Sequence, residues 1–137
     1  MLIEEPSQPT PYVSFENGIE ISVWPRYDET SSNLDVCMFT YSYTIKIKNL
    51  NIHSVKLLSR RWVIEDAFEN IQEVNGEGVV GMTPEIRSGE SFIYSSLCPL
   101  KTPSGKMSGS YRMQAIGGQL FDVEIKQFEL RNNMLVN

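Results

Sequence analysis

The chain has 137 residues, 41% hydrophobic and 21% charged, the profile of one ordinary globular domain able to bury a core without staples. Its formal net charge of -5 argues against nucleic acid as a partner, because phosphates demand clustered Lys and Arg. No apolar run approaches the ~18 residues of a membrane span, and MLIEEPSQPT lacks a basic region leading into an apolar one; no membrane insertion and a cytoplasmic location are expected.

Residues 1–17 read as an N-terminal arm with a possible edge strand, and the stretch Met1 to Pro11, with three prolines and two glutamates, reads as loose. From Gly18 to Trp24 the chain alternates, with Ile19, Ile21 and Val23 on one face, and Pro25 is expected to end that strand for want of an N–H. Tyr27 to Asp35 is a polar loop. Phe39, Tyr41, Tyr43, Ile45 and Ile47 then alternate with Thr40, Ser42, Thr44, Lys46 and Lys48, which predicts a long strand with one buried and one wet face. After a turn at Asn49 to Ser54, the apolar phase slips from Val55 and Leu57 to Leu58, Trp62 and Ile64, the mark of a β-bulge between Leu57 and Trp62.

Asp66 to Asn70 should fold this strand back into Ile71 to Asn75 as a hairpin. A turn at Ser88-Gly89-Glu90 leads to a strand through Phe92 and Tyr94, which the prolines Pro99 and Pro103 of the loop CPLKTPSGK are expected to break. Met107 to Ala115 alternates again, and Gly117-Gly118 reads as a two-residue turn into a last strand through Phe121, Val123 and Ile125. No stretch holds a sustained 3.6-residue period. The expected fold is all-β, a sandwich of about seven or eight antiparallel strands over residues 18–131, with a tail at 132–137.

The motifs LLSRRWVIEDA, EVNGEGVVG, GESFIYSSLCPLKTPSGKMSGSYRM and FDVEIKQFEL resemble, in order and spacing, the ApaG family. The resemblance runs from about Gly18 to Arg131. It implies a fibronectin-type-III-like or immunoglobulin-like β-sandwich, a bacterial setting in tolerance of cobalt and efflux of magnesium, and no catalytic residues. The same domain occurs inside larger eukaryotic proteins, including an F-box protein and a DNA-polymerase-interacting protein, where it resembles an interaction module. Two positions depart from the pattern: Arg61 stands where the family commonly has His before the Trp, and Phe68-Glu69 replaces a usual Asn-Gly, which should loosen the hairpin tip.

Gly76, Gly78 and Gly81 spell G-x-G-x-x-G, the string of a phosphate-binding loop. A dinucleotide fingerprint needs a helix opening after the string, and Met82-Thr83-Pro84 follows instead. From Trp62 through Ile86 there are six acids and no Lys or Arg, so this stretch is the most negative part of the chain. Its plainest role is a tight strand connection; an anion-binding nest at Gly76, Gly78 and Gly81, served by Arg60 or Arg61, is the other. Glu65, Glu73 and Glu77 could hold Mg²⁺ or Co²⁺ weakly through waters, or serve as a solvated hairpin face. No tight metal site and no resident cofactor are expected.

One histidine, His53, falls in a turn, so Cys–His or Ser–His catalysis has little to build on and no enzyme is expected. Cys37 and Cys98, 61 residues apart, are expected to be reduced, partly buried thiols. The sequence therefore points to a non-catalytic module that binds an unidentified protein partner. Its surface would be the hairpin from Arg60 to Gly81, with Arg60, Arg61, Glu65, Glu73 and Glu77 around Trp62, which reads either as a core or half-buried residue or as the interface anchor. The basic loop Cys98 to Met107, with Lys101 and Lys106, could meet another copy's acidic hairpin and give a homo-oligomer. The alternative function is a nucleotide- or pyrophosphate-binding protein or enzyme using the Gly76–Gly81 loop.

Overall fold

The computed structural model describes residues 5–6 and 10–132; most of the expected loose arm (1–4 and 7–9) and the tail 133–137 lie outside the described residues. Among the described residues nine antiparallel strands form: β1 (Tyr12–Glu16), β2 (Ile19–Tyr27), β3 (Phe39–Asn49), β4 (Val55–Asp66), β5 (Ile71–Glu77), β6 (Glu85–Ile86), β7 (Ser91–Leu100), β8 (Gly105–Ala115) and β9 (Leu120–Leu130). One sheet has the order β1-β2-β3-β7, the other β5-β4-β8-β9, with β6 beside β4. Two sheets are needed because each strand has one apolar face to hide. Ile19, Ile21 and Val23 of β2 and Tyr43, Ile45 and Ile47 of β3 meet Leu57, Trp62, Tyr111, Met113, Val123, Ile125 and Phe128 of the opposite sheet in a single core. No helix among the described residues is long and apolar enough to cross a membrane.

The expected bulge is present: the β4–β8 register shifts between Leu57 and Ser59. A second shift, between Met107 and Gly109 where β8 meets β9, left no phase slip in the β8 alternation. Two of the three prolines expected to end strands lie inside them, while Pro103 falls in the β7–β8 connection. Pro25 pairs with Tyr43 beyond the point where β1 stops covering β2, and Pro99 pairs with Thr40 on the edge strand β7. A proline nitrogen turned to an open edge breaks no ladder bond, so neither strand has to stop. The Gly117-Gly118 connection is likewise longer than two residues. It spans 116–119, with both glycines at positive φ (93° and 94°) and the Ala115 N–H donating to Gln119 O at 2.8 Å.

The two long sides of the sandwich differ. On one, β1 leans on β9: Glu124 N–H donates to Glu16 Oε1 at 2.7 Å, and Asn17 Nδ2 donates to Asp122 O at 2.9 Å. On the other, β5 and β7 are both edge strands, and β5 has little buried surface of its own. At one end Asn49, fully buried, ties three segments together. Its Nδ2 donates to His53 O and Ile86 O at 2.8 and 2.9 Å, and its Oδ1 accepts from Asn51 N–H.

Candidate functional site

The hairpin singled out by sequence is β4–β5, at the open side of the second sheet. Past the bulge, period two decides which way each side chain points. Trp62 turns inward and is 3% exposed, with its ring edge-on to Tyr43, Tyr111 and Phe128. It is therefore a core residue, and the expectation that it anchors a partner is corrected: no partner reaches it without opening the sandwich. Its indole N–H is buried without a hydrogen-bond partner.

Arg60 shares Trp62's parity and also turns inward, opposite Gly76 on β5 and Tyr111 on β8. Its guanidinium fills the space a Gly76 Cβ would occupy and donates to Glu77 O and Gly78 O, both at 2.9 Å. Its positive charge is felt by the phenols of Tyr43, Tyr94 and Tyr111 below it. Arg60 is thus a clamp between the hairpin edge and the connection that follows.

That connection is the glycine string. Gly78 N–H donates to Leu58 O, while Val79 and Met82 exchange N–H···O bonds at 2.8 and 2.9 Å across a tight turn. Val80 and Gly81, at the tip, both take positive φ (43° and 76°), and a Cβ on Gly78 would stand 2.0 Å from Met82 O. The glycines answer to these backbone demands. The Gly78 and Val79 N–H groups are spent on carbonyls, and the Glu77 and Gly78 carbonyls are spent on Arg60. A phosphate would find no helix N-terminus there, and two of the string's own N–H groups are already taken.

The outward set is different. Arg61 faces solvent and forms a two-point pair with Glu73, Nε to Oε1 at 2.9 Å and Nη2 to Oε2 at 3.4 Å. Hydrogen bonds from Arg61 first, then Asn75, hold the Glu73 carboxyl below its ordinary range. On the neighbouring strands Arg112 pairs with Asp122 in the same way at 3.0 and 3.4 Å, and Arg112 lowers the Asp122 carboxyl. Between the two arginines lie only the small side chains Ser59 and Ser110, leaving an open depression of about 500 Å³ rimmed by Glu77 and Asp122. Sequence reading missed Arg112 and Asp122, although the inward alternation of Tyr111, Met113, Phe121 and Val123 already placed both on the outer face.

The acids do not converge. Glu73 sits opposite Val63, Glu77 opposite Ser59, and Glu65 between Ile71 and Lys106, with Arg61 interleaved. Among the described residues no group of three or more His, Cys, Asp or Glu side chains is placed to hold a metal ion. The basic loop is docked to the hairpin of its own chain: Thr102 Oγ1 accepts from Ala67 N–H at 3.0 Å and donates to Ser104 O at 2.7 Å. Lys106 stands in register with Glu65 on one side and Glu129 on the other. Acidic hairpin and basic loop therefore already meet within one molecule.

The hairpin tip is also tied. The Asp66 carboxylate accepts from Phe68 N–H, Asn70 N–H and Asn70 Nδ2 at 2.9–3.1 Å, so the tip without Asn-Gly is held by a side chain instead. The cost appears at Glu69, a non-glycine residue at φ 64°. Phe68 and Ile71, 77% and 67% exposed, project from this tip.

The thiols are free. Cys98 is buried; Cys37, expected to be partly buried, is exposed at a left-handed corner (φ 53°) that the loop before β3 requires. Cys37 precedes β3 and Cys98 pairs with Tyr41 near its start, whereas His53 follows its far end. An 11-residue strand, roughly 33 Å long, keeps His53 from either thiol.

Residues 29–115 match the family described as the ApaG domain. The chain belongs to the ApaG family. The protein ApaG of Brucella anthropi is 46% identical over 119 residues, covering 87% of this chain and 92% of that one; ApaG of Caulobacter vibrioides is 44% identical, covering 87% and 85%. A crystal structure from Bordetella pertussis described as an ApaA protein superposes with a TM-score of 0.81 at 38% identity, covering 91% of this chain and 98% of that one. The X-ray structure of structural-genomics target SoR45 gives 0.82 at 39% identity, covering 87% and 90%. The ApaG motifs fall on β4 through β9, the region that builds the outer face described above.

Proposed function

We propose that this ApaG-family chain is a non-catalytic interaction module whose partner surface is the outer face of β5-β4-β8-β9 together with the hairpin tip. The observation that carries the reading is the pairing of exposed apolar side chains, Phe68 and Ile71, with a solvent-facing array of Arg61, Arg112, Glu65, Glu73 and Glu77. Apolar anchors give affinity and a surrounding charge pattern gives selectivity. Phe68 and Ile71 take the anchor role that Trp62, in the core, cannot. A physiological setting in divalent-cation tolerance, and a cytoplasmic location, are proposed on the family resemblance; the separated acids would at most attract a hydrated Mg²⁺ or Co²⁺.

The test compares capture by the parent with capture by Phe68→Ala/Ile71→Ala and Arg61→Glu variants of unchanged thermal stability. A partner recovered by the parent and lost by these variants supports the surface. Amide shifts at Gly76, Gly78 and Gly81 on nucleotide addition would replace this reading with the nucleotide-binding one.

A further inference from the structure

Two open sheets leave four long edges, β1, β7, β5 and β9, and three of them are closed or blunted. β1 and β9 cover each other: Ser14 Oγ donates to Glu124 O at 3.3 Å and Glu124 N–H donates to Glu16 Oε1 at 2.7 Å. β7 carries Pro99, which has no N–H to offer a neighbour. β5 has no proline, lysine or arginine, and no charge among its inward residues Gln72, Val74 and Gly76. The Glu73 carboxylate is held back over the sheet by Arg61 of β4. Nothing on this strand guards its edge.

The β5 backbone is only half used. At its two ends Asp66 N–H donates to Asn70 O at 3.0 Å and Gly78 N–H donates to Leu58 O at 2.8 Å. Bonded and unbonded pairs alternate along an antiparallel ladder, so Gln72, Val74 and Gly76 bond to Ile64, Trp62 and Arg60. The N–H and C=O groups of Ile71, Glu73 and Asn75 therefore point to the open edge, while the Glu77 carbonyl is already taken by Arg60. Beside the start of β5 the two sheets part. Ile64, Ile71 and Gln72 on one side and Pro99, Leu100 and Lys101 on the other line a cleft of about 270 Å³. Glu69 and Glu77, at the two ends of the strand, have no ion-pair partner among the described residues.

These features select the occupant. Unspent backbone donors and acceptors along an edge are met by another extended chain joining as a further strand. A second copy's β5 fits poorly, because edge-to-edge pairing sets Glu73 and Glu77 of one copy on the same face as those of the other. A segment of a different protein, basic at both ends, meets Glu69 and Glu77 instead, and an apolar side chain on its inward parity fills the cleft. We propose that the open edge of β5 takes an extended segment of a partner protein as an added strand, apolar toward the cleft and basic at both ends. The inference deepens the reading of the hairpin as a partner surface and rests on that reading for there being a protein partner.

The test uses full-length ¹⁵N-labelled protein and the palindromic peptide acetyl-KVTVTVK-amide, which suits either strand direction. At up to about 1 mM, the peptide should slow hydrogen exchange at the Ile71, Glu73 and Asn75 amides. Exchange at Gln72, Val74 and Gly76, already bonded to β4, should change little. An added strand bonds through alternate residues, so N-methylation of one peptide set, the valines or the threonines, should weaken binding at least about 10-fold. N-methylation of the other set should spare it. Asn75→Pro removes an edge N–H and none of those bonded to β4, and should weaken binding to a similar degree. Glu69→Gln/Glu77→Gln leaves the backbone intact and should weaken binding at low salt more than at high salt. Unchanged exchange at Ile71, Glu73 and Asn75 would overturn the proposal, as would equal effects of the two N-methylated sets. A captured partner that survives Asn75→Pro would remove the edge and leave the hairpin face standing. Peptide protection at the edge, with capture indifferent to Phe68→Ala/Ile71→Ala and Arg61→Glu, would keep the edge and remove the face.

Discussion

Single residues in this chain are decided by which way the backbone turns them, and two show it well. Gly78 has φ 58°, and a Cβ there would meet Met82 O, a backbone atom that cannot move aside. Gly78→Ala should therefore cost about 1–3 kcal/mol of stability, read as a lower midpoint in urea with an unchanged slope. It should do so with no loss of any anion affinity, since the glycine serves a turn. Cys98 is the second case: burial alone pushes its thiol up to about 11. In native protein, 5,5′-dithiobis(2-nitrobenzoate) should titrate the exposed Cys37 promptly and Cys98 only after unfolding. Two fast thiols would contradict the burial of Cys98.

At the scale of elements, the β4–β5 hairpin and its neighbour β8–β9 carry the two outward ion pairs. Glu73 and Asp122 have folded pKa values lowered from 4.5 and 3.8, so their contribution is present above those values and fades as pH falls through the lowered ones. Arg61→Gln and Arg112→Gln should each flatten the fall of Tm between roughly pH 5 and pH 3 relative to the parent. The effect should be small, because both pairs face water, and smaller again in high salt. Variants with the parental slope would show the pairs to be idle.

The same elements show what sequence could carry. The alternation of β3, the bulge in β4, the hairpin and the shared strand pattern of the ApaG family are all local periodicities, and local periodicity survives in a linear string. Edge position does not: Pro25 and Pro99 looked like strand breakers because a proline's cost depends on which neighbour its nitrogen faces. Arg60 and Arg61 were grouped on one surface, although period two past the bulge turns Arg60 inward with Trp62 and Arg61 outward. Trp24 was readable as outward-facing from Ile21 and Val23, but its burial there, 5% exposed, is not encoded in that periodicity.

At the scale of the whole molecule, the core is unusually phenolic. Burial raises Tyr43, Tyr94 and Tyr111 above the ordinary phenol value and raises Tyr41 to about 12. Tyr94 and Tyr111 share a hydroxyl hydrogen bond inside the sandwich. A folded pKa above the unfolded one stabilises fully below the unfolded value and is lost as pH rises toward the folded one. Stability should thus fall steeply above roughly pH 10, and these four phenols should ionise together with unfolding rather than before it. Phenolate absorbance rising ahead of the loss of β-sheet circular dichroism would contradict this.

If the hairpin face binds a protein, truncating its anchors must weaken capture. The comparison is quantitative capture by the parent beside Phe68→Ala/Ile71→Ala and Arg61→Glu variants of matched stability. A partner should be enriched by the parent and reduced at least about 10-fold by the variants, as expected when interface anchors are truncated. Equal recovery by parent and variants would contradict it.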